Sequence, residues 1–358
     1  MDFNITLLPG DGIGPEVIDS AVAVLNAVER RFGHNFHLHS APIGGSAIDL
    51  TGVPLPEETL KDCKSADAVL LGAVGGPKWD DLKPHNRPER GLLTLRSELK
   101  VFASLCPVVM YEELGASSAL KSSVAKSKAN IMLVREIAGG IYTGEHGYRD
   151  GALGQEAYDT EVYSINEVER IAKVAFELAE SRNRRVLCVD KADMLTSGRL
   201  WQATIERVAK NYNFMHYEHA LAGNAALRIL TNPAEFDVIL ANNLFGDILA
   251  SVLAALPGSI GMLPSAAIGG IVGLYEPVHG AANALAGRDE ANPIGAILSA
   301  AMLLTSSLNL DKEAAAVESA VKKTLAKGLR TKDIAGGKKY VSCSRITEEI
   351  ALDVLCSK

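Results

Sequence analysis

The sequence has few cysteines, no CxxC spacing and no run of five basic residues. Five scattered cysteines in 358 residues exclude a disulfide framework and a cysteine-based zinc site. Their odd number and wide spacing predict reduced thiols in a cytoplasmic protein. The net charge is −7 and no basic cluster accompanies it, which argues against a nucleic-acid partner.

Charge is missing from one long stretch, residues 248–275, where a membrane span is the first interpretation. Pro257, Pro264 and several glycines interrupt that stretch, so it predicts buried core elements and no membrane partner. The N-terminal "MDFNITLLPGDG" lacks the basic region and cleavage site of a signal peptide, which also favours a cytoplasmic protein.

Short apolar runs alternate with helical patterns. The runs "NITLL", "ADAVLLGAV", "ANIMLVRE", "RRVLCVDKA" and "FDVILANN" are typical of strands buried on both faces. "PEVIDSAVAVLNAVERRF" and "SINEVERIAKVAFELAESR" repeat apolar residues at helical spacing, with Pro15 in the first turn of one and Ser164 or Asn166 as N-cap of the other. The alternation predicts an α/β protein with a largely parallel sheet, and the chain length predicts two lobes.

One segment fits neither pattern. "GYRDGALGQEAYDTEVYS", residues 147–164, is polar, contains several glycines and ends in alternating residues. It predicts an exposed hairpin, which is either a surface loop or an arm that pairs with a second subunit, since exposed strand edges invite pairing.

Two local motifs indicate binding without identifying a ligand. "PGDGIGPE" fails the spacing of a dinucleotide fingerprint, because Pro15 stands where a third glycine is required, so it predicts only a tight turn. The arginines of "RPERGLLTLR" (Arg87, Arg90 and Arg96) suggest an anionic substrate, and a solvated helix face is the alternative. Lys191 follows a predicted strand, where sites of α/β proteins usually lie.

Taken together, the segments resemble one family over nearly the whole chain. The motifs include "LLPGDGIGPEV", "GAVGGPKWD", "RPERGLLTLR", "VREIAGGIYTGE", "AYDTEVY", "VDKADML", "NLFGDIL", "LPGSIGMLPSA", "YEPVHGAA" and "ANPIGAILSAAMLL". They resemble the β-decarboxylating (isocitrate/isopropylmalate) dehydrogenases, and within them the 3-isopropylmalate dehydrogenases. The resemblance implies a two-lobed open sheet with a cofactor site that is not of the Rossmann type. It also implies a homodimer.

The resemblance further implies a division of the chain. Residues 1–101 and 258–358 would form a cofactor-binding lobe. Residues 102–257 would form a substrate and dimerisation lobe that carries the arm at about 147–164.

The family's reaction implies roles for individual residues. Its members oxidise a small 2-hydroxy acid with NAD and then decarboxylate it with the help of Mg²⁺ or Mn²⁺, here in leucine biosynthesis. Arg96 and Arg135 match the substrate carboxylate clamp, Tyr142 the general acid, Lys191 the group that helps remove the hydroxyl proton, and Asp247 a metal ligand. The implied cofactor contacts are Glu276, His279, Gly280 and Asn292.

Several functional positions depart from the family pattern. A third clamp arginine is replaced by Cys106, and two metal-binding aspartates are replaced by Gly223 and Ser251. An asparagine beside the nicotinamide is replaced by Asp193, and the acidic residue at the adenosine ribose by Ala284. Asp247 therefore lacks a second carboxylate one helical turn later.

Three interpretations remain open at this stage. The first is a homologue with strongly impaired or lost activity, which binds NAD weakly and Mg²⁺ or Mn²⁺ weakly or not at all. The second is an active dehydrogenase with an altered 2-hydroxy-acid substrate, in which Asp193 supplies a new acid. The third is a non-catalytic subunit that forms a heteromer with an active paralogue. Because the departures fall on functional positions while the scaffold motifs persist, we favour the first.

Overall fold

The computed structural model describes residues 1–118 and 120–356, and the chain divides into two compact units. The first unit comprises Met1–Val101, Met110–Lys126 and Ala254–Lys358, and the second comprises Phe102–Val109 and Ser127–Leu253. This division differs from the expected lobes at residues 110–126 and 254–257, which belong to the first unit.

Twelve strands and twelve helices are found in the described residues. In chain order the strands are β1 Asp2–Gly10, β2 Asn35–Ser40, β3 Ala68–Ala73, β4 Ala103–Val109, β5 Asn130–Glu136, β6 His146–Gly151, β7 Gly154–Asp159, β8 Arg185–Asp190, β9 His216–Leu221, β10 Val238–Ala241, β11 Pro264–Ile268 and β12 Gly273–Pro277. The helices are α1 Gly14–Phe32, α2 Gly45–Thr51, α3 Glu57–Ser65, α4 Pro88–Leu99, α5 Ser122–Ala125, α6 Ile165–Glu180, α7 Thr196–Ala209, α8 Ala222–Thr231, α9 Asn243–Leu253, α10 Ile294–Ser306, α11 Asp311–Ala326 and α12 Cys343–Cys356. The predicted α/β class is confirmed.

The first unit has the strand order β2-β1-β3-β12-β11, parallel except for the antiparallel pair β11–β12. Helices α1, α10, α11 and α12 supply most of its core. The uncharged stretch of the sequence includes β11 and the first three residues of β12, most of which are buried, so the prediction of core elements is confirmed. Among the described residues, no helix combines the length and apolarity needed to cross a membrane.

The second unit has the strand order β4-β5-β10-β8-β9, in which only β4 runs antiparallel to its neighbour. Strands β6 and β7 form a separate antiparallel hairpin over the segment expected to be an exposed arm. Helix α6 begins with a capping box in which Ser164 and Glu167 bond each other's backbone, which identifies Ser164 as the N-cap. Helix α9 begins at Asn243, so Asp247 lies in its second turn.

Candidate active site

Arg135, Tyr142 and Asp247 lie together in the second unit, and we call them the Arg135 cluster. Nη1 of Arg135 donates to Oδ1 of Asp247 at 2.5 Å, and the hydroxyl of Tyr142 donates to Oδ2 at 3.2 Å. The guanidinium carbon also lies 5.9 Å from the centre of the Tyr142 ring. Burial, followed by the negative charge of Asp247, raises the pKa of Tyr142, so its hydroxyl stays protonated at neutral pH and can donate.

Two neighbouring residues position the Arg135 cluster, and our sequence reasoning missed both. The side-chain oxygen of Asn243 accepts from Nε and Nη2 of Arg135 at 3.1 and 2.8 Å, while its amide donates to the carbonyl of Gly139. A Cβ on Gly246 would lie 2.6 Å from Cγ of Arg135, so this glycine lets the arginine lie against α9. The sequence does carry a signal for Asn243, because the polar residues "ANN" directly follow an apolar strand. Ligands of α/β proteins bind at the carboxyl ends of such strands.

The positions of the second unit that depart from the family pattern offer few side-chain atoms that could bind a ligand. Ser251 is exposed one turn after Asp247 on α9, and Gly223 is exposed on α8 with no heavy atom within 4 Å of where a Cβ would stand. Cys106 is buried in β4, and burial raises the pKa of its thiol to about 12. Cys106 pairs with Leu133 of β5, two residues before Arg135, and the charge of Arg135 acts on the pKa of that thiol in the opposite direction.

Lys191 and Asp193 form an ion pair in the loop after β8. Nζ of Lys191 donates to the two carboxylate oxygens of Asp193 at 2.8 and 2.6 Å. Both side chains are partly exposed, at 37% for Lys191 and 42% for Asp193. The departure at Asp193 therefore gives the lysine a partner of opposite charge two residues away in the same loop.

The three implied metal positions of the second unit form a poor donor set for a divalent cation. Mg²⁺ and Mn²⁺ require oxygen ligands, among which carboxylates supply the balancing charge. Asp247 is the only acid among the three implied ligand positions, and its two oxygens accept from a guanidinium and a phenol. A cation at Asp247 would have to displace Arg135 while opposed by its positive charge, and Ser251 supplies only a neutral hydroxyl.

The implied cofactor contacts lie in the first unit, together with Arg96. Nη2 of Arg96 donates to Oε1 of Glu276 at 2.5 Å, and both side chains are largely buried. Asn292 donates to Asp333 at 3.0 Å, and Gly280 accepts from Nδ1 of His279 through its carbonyl when that nitrogen carries the proton. Ala284 is exposed in a short turn, where its methyl group offers no hydrogen bond.

The residues at the implied cofactor positions of the first unit only partly fit a nucleotide. Nε2 of His279 is buried without a hydrogen-bond partner among the described residues, so a ligand can supply the bond that this nitrogen lacks. Burial lowers the pKa of His279, so the ring is neutral and one of its nitrogens can accept a hydrogen bond. Ala284 removes the acid that would hold the ribose hydroxyls. His279 therefore keeps a nitrogen that can bond a nucleotide, whereas Ala284 offers no acceptor at the implied ribose position.

A separate group of potential metal ligands has a structural role. Within the described residues, Glu16, Asp289 and Cys343 place ligand atoms within 4.8 Å of one another. The carboxylate of Asp289 accepts from the backbone and hydroxyl of Ser344, and Glu16 accepts from the backbone of Ala291. These bonds fix the turns that precede α10 and α12, so the group is explained without an ion.

Arg135 lies near the carboxyl end of β5, Tyr142 in the segment that follows it, and Lys191 directly after β8. An arginine, a tyrosine and a lysine at these places are typical of α/β enzymes that bind small anions. The family model for isocitrate/isopropylmalate dehydrogenase matches residues 4–350. The chain belongs to this family.

Individual relatives are similar over nearly the full length. The chain is 51% identical over 357 residues to a 3-isopropylmalate dehydrogenase from Geobacillus kaustophilus, covering 99% of this chain and 96% of the relative. An isocitrate dehydrogenase structure from Methylococcus capsulatus is 29% identical with a TM-score of 0.88, covering 99% of both chains. A β-decarboxylating dehydrogenase structure from Thermococcus kodakarensis is 35% identical with a TM-score of 0.78, covering 98% of this chain and 96% of the other.

Proposed function

We propose that this chain is a homologue of NAD-dependent 3-isopropylmalate dehydrogenase whose activity in leucine biosynthesis is strongly impaired or lost. The reaction class is supported by the 51% identity to a relative of that name. One observation carries the proposed impairment: the lone carboxylate of the implied metal site, Asp247, is bonded to Arg135 and Tyr142. A group implied to bind metal and a group implied to bind substrate thus neutralise each other.

The size of the impairment follows from where the losses fall. A bound divalent metal would stabilise the negative charge that develops during oxidation and decarboxylation, so a weakened metal site is expected to lower the rate directly. Replacing an arginine by Cys106 removes a charged hydrogen bond worth roughly 1.5–3 kcal/mol. Together the losses are expected to lower kcat/KM by several orders of magnitude.

The alternative of a new substrate has less support. It requires Asp193 to act as a free acid, whereas Asp193 is bonded to Lys191 through both oxygens. In this ion pair the new acid, Asp193, and the lysine implied in proton removal, Lys191, are bonded to each other. A non-catalytic subunit in a cytoplasmic homodimer or heteromer remains compatible with the proposal, because such a role does not depend on turnover.

A turnover assay tests the proposal. Untagged protein is supplied with 3-isopropylmalate, NAD and Mn²⁺, and NADH formation is followed. We expect a rate far below the roughly 1–10³ per second of ordinary enzymes. A rate inside that range for the unmodified chain would overturn the proposal.

A restoration series makes the test specific to the departing positions. Gly223→Asp with Ser251→Asp should restore Mn²⁺ binding but little turnover, because the clamp and the ribose anchor are still missing. Open space around Gly223 and exposure of Ser251 accommodate both aspartates. The matched control is Asn224→Asp with Ser251→Asn, which adds a charge to α8 beside the ligand position and should restore nothing.

Adding Cys106→Arg and Ala284→Asp should then give measurable oxidation of 3-isopropylmalate. Because Cys106 is buried, thermal unfolding of each variant must be followed in parallel. If Cys106→Arg lowers the melting temperature sharply, the triple variant without it becomes the test. That triple variant should show tighter Mn²⁺ and NAD binding, and normal affinities in the unmodified chain would contradict the proposal.

A further inference from the structure

The outer face of strands β1 and β2 carries two histidines that the proposed function does not use. Strand β2 is the edge strand of the first unit, and its sequence "NFHLHS" places His37 and His39 two residues apart. Phe36 and Leu38 pack toward the core, so the alternation of the strand directs both imidazoles to the opposite face. Because a shift of one residue would expose the phenylalanine, burial fixes this orientation.

The two rings border an open polar cleft of about 650 Å³. Asn4 and Thr6 of β1 lie opposite His37 and His39 in register, and Asp62 of α3 lies on the same side. None of the residues lining the cleft is a lysine or arginine, while Asp62 lines it and Asp2 lies beside His37. Two imidazoles beside carboxylates, with no lysine or arginine lining the cleft, favour a cation over an anion.

The hydrogen bonds leave Nδ1 of His39 available to a ligand, because Nε2 of His39 donates to Oδ2 of Asp62 at 3.0 Å. Nε2 of His37 accepts from Nδ2 of Asn35 at 3.1 Å, so this ring offers Nε2 to an ion only after it turns away from Asn35. The structure gives Nδ1 of neither ring a partner among the residues it describes. An imidazole that donates one N–H to a carboxylate and offers its other nitrogen to a metal is the usual arrangement of metal-binding histidines.

We propose that His37 and His39 bind a late first-row transition-metal ion, Zn²⁺ or Ni²⁺, with Asp62 as the residue that orients His39. Residues two apart on a strand have Cα atoms roughly 6.6 Å apart, a separation that two imidazoles span when they converge on an ion about 2.0–2.1 Å from each nitrogen. His37 turns from Asn35 and Asp2 to reach the ion, and its 55% side-chain exposure leaves room for that rotation. Imidazole ligands select Zn²⁺, Ni²⁺ and Cu²⁺ over Mg²⁺.

Calorimetric titration of untagged protein with Ni²⁺ tests the proposal. Cys356 is exposed, so all variants carry Cys356→Ser to remove a competing thiol. We expect a single ion per chain, with affinity lowered at least about 10-fold by His37→Gln and by His39→Gln, and about 10-fold by Asp62→Asn. Two controls should leave the affinity unchanged: His216→Gln, which removes another exposed strand histidine, and Asp247→Asn, which alters the implied catalytic metal position.

Electron paramagnetic resonance with Cu²⁺ gives an independent signature. Coupling to two imidazole nitrogens is expected in the Cys356→Ser protein, and to one after His37→Gln. No Ni²⁺ binding, or binding unchanged in the two glutamine variants, would overturn the proposal. Loss of Ni²⁺ binding in the Asp247→Asn variant would also overturn the proposal. That result would show that the ion binds at the implied catalytic position, and would therefore contradict the proposed impairment of that metal site.

Discussion

At the scale of single residues, side chains expected to bind ligands are paired with each other. Arg96 is bonded to Glu276, Arg135 to Asp247, and Lys191 to Asp193. An ion pair as exposed as Lys191–Asp193 contributes only about 0–1 kcal/mol to the free energy of unfolding, so such a pair does not account for the stability of the fold. Their consequence is chemical, because a substrate carboxylate or a metal has to displace an existing partner.

The ribose position gives a prediction at this scale. Ala284→Asp restores an acceptor for the ribose hydroxyls, so NAD should bind about 10-fold more tightly, the effect of one charged hydrogen bond of roughly 1.5 kcal/mol. Selectivity for NAD over NADP should also rise, because the carboxylate repels a 2′-phosphate. Calorimetry measures both quantities.

The control is Ala286→Asp, which adds the same charge at an exposed position two residues away and should leave the affinity unchanged. Tight and strongly NAD-selective binding by the unmodified protein would show that another residue holds the ribose.

At the scale of elements, one buried carboxylate joins the segments that follow three parallel strands. Asp11 follows β1 and accepts from the backbone of Gly45 and Ser46 after β2, at 2.8 and 2.7 Å, and from Gly75 after β3 at 2.8 Å. It is only 3% exposed. The "PGDGIGPE" motif therefore has a structural role in this chain, which agrees with its failed fingerprint spacing.

Asp11→Ala should lower the free energy of unfolding by at least about 3 kcal/mol, because three backbone N–H groups lose their acceptor at roughly 1–3 kcal/mol each. Denaturant titration of the variant against the unmodified protein measures the loss. Asp19→Ala is the control, since Asp19 is an exposed acid on α1 and its removal should change stability by less than about 0.5 kcal/mol. Equal midpoints for both variants would refute the role of Asp11.

At the scale of the whole molecule, the second unit exposes several large apolar side chains, more than the surface of a monomeric protein usually exposes. Tyr148 and Leu153 of the β6–β7 hairpin are 71% and 102% exposed, and Leu227 of α8 and Ile248 of α9 are 65% and 51% exposed. Burying apolar surface of this kind is the main favourable term in subunit association. We therefore propose that the protein is a homodimer and that the second unit forms the interface.

Sedimentation at micromolar concentration should show a dimer. Leu227→Asp with Ile248→Asp should shift the population toward monomer, because each substitution places a charge in the proposed interface. Leu50→Asp changes a side chain that is 75% exposed in the first unit and should leave the dimer intact. A monomeric unmodified protein would contradict the proposal, and dissociation by Leu50→Asp would place the interface elsewhere.

The sequence by itself determined the α/β class, the positions of β1, β3, β5, β8 and β10, and the family. Each of these depends on local periodicity or on motifs in order, which are properties of the chain before it folds. The departures from the family pattern at Cys106, Gly223, Ser251 and Ala284 could likewise be identified from the sequence, because each needs only a comparison of residue types at a motif position.

The tertiary structure decided which charges meet. Arg96 and Glu276 are 180 residues apart in the chain, and Arg135 and Asp247 are 112 apart, so no local pattern relates them. It also decided that α9 begins at Asn243, where the asparagine holds Arg135, and that residues 110–126 belong to the first unit. Ion pairs and unit boundaries depend on distances that only long-range packing fixes. Residue types alone could therefore name the members of the site but could not show that they are already bonded to one another.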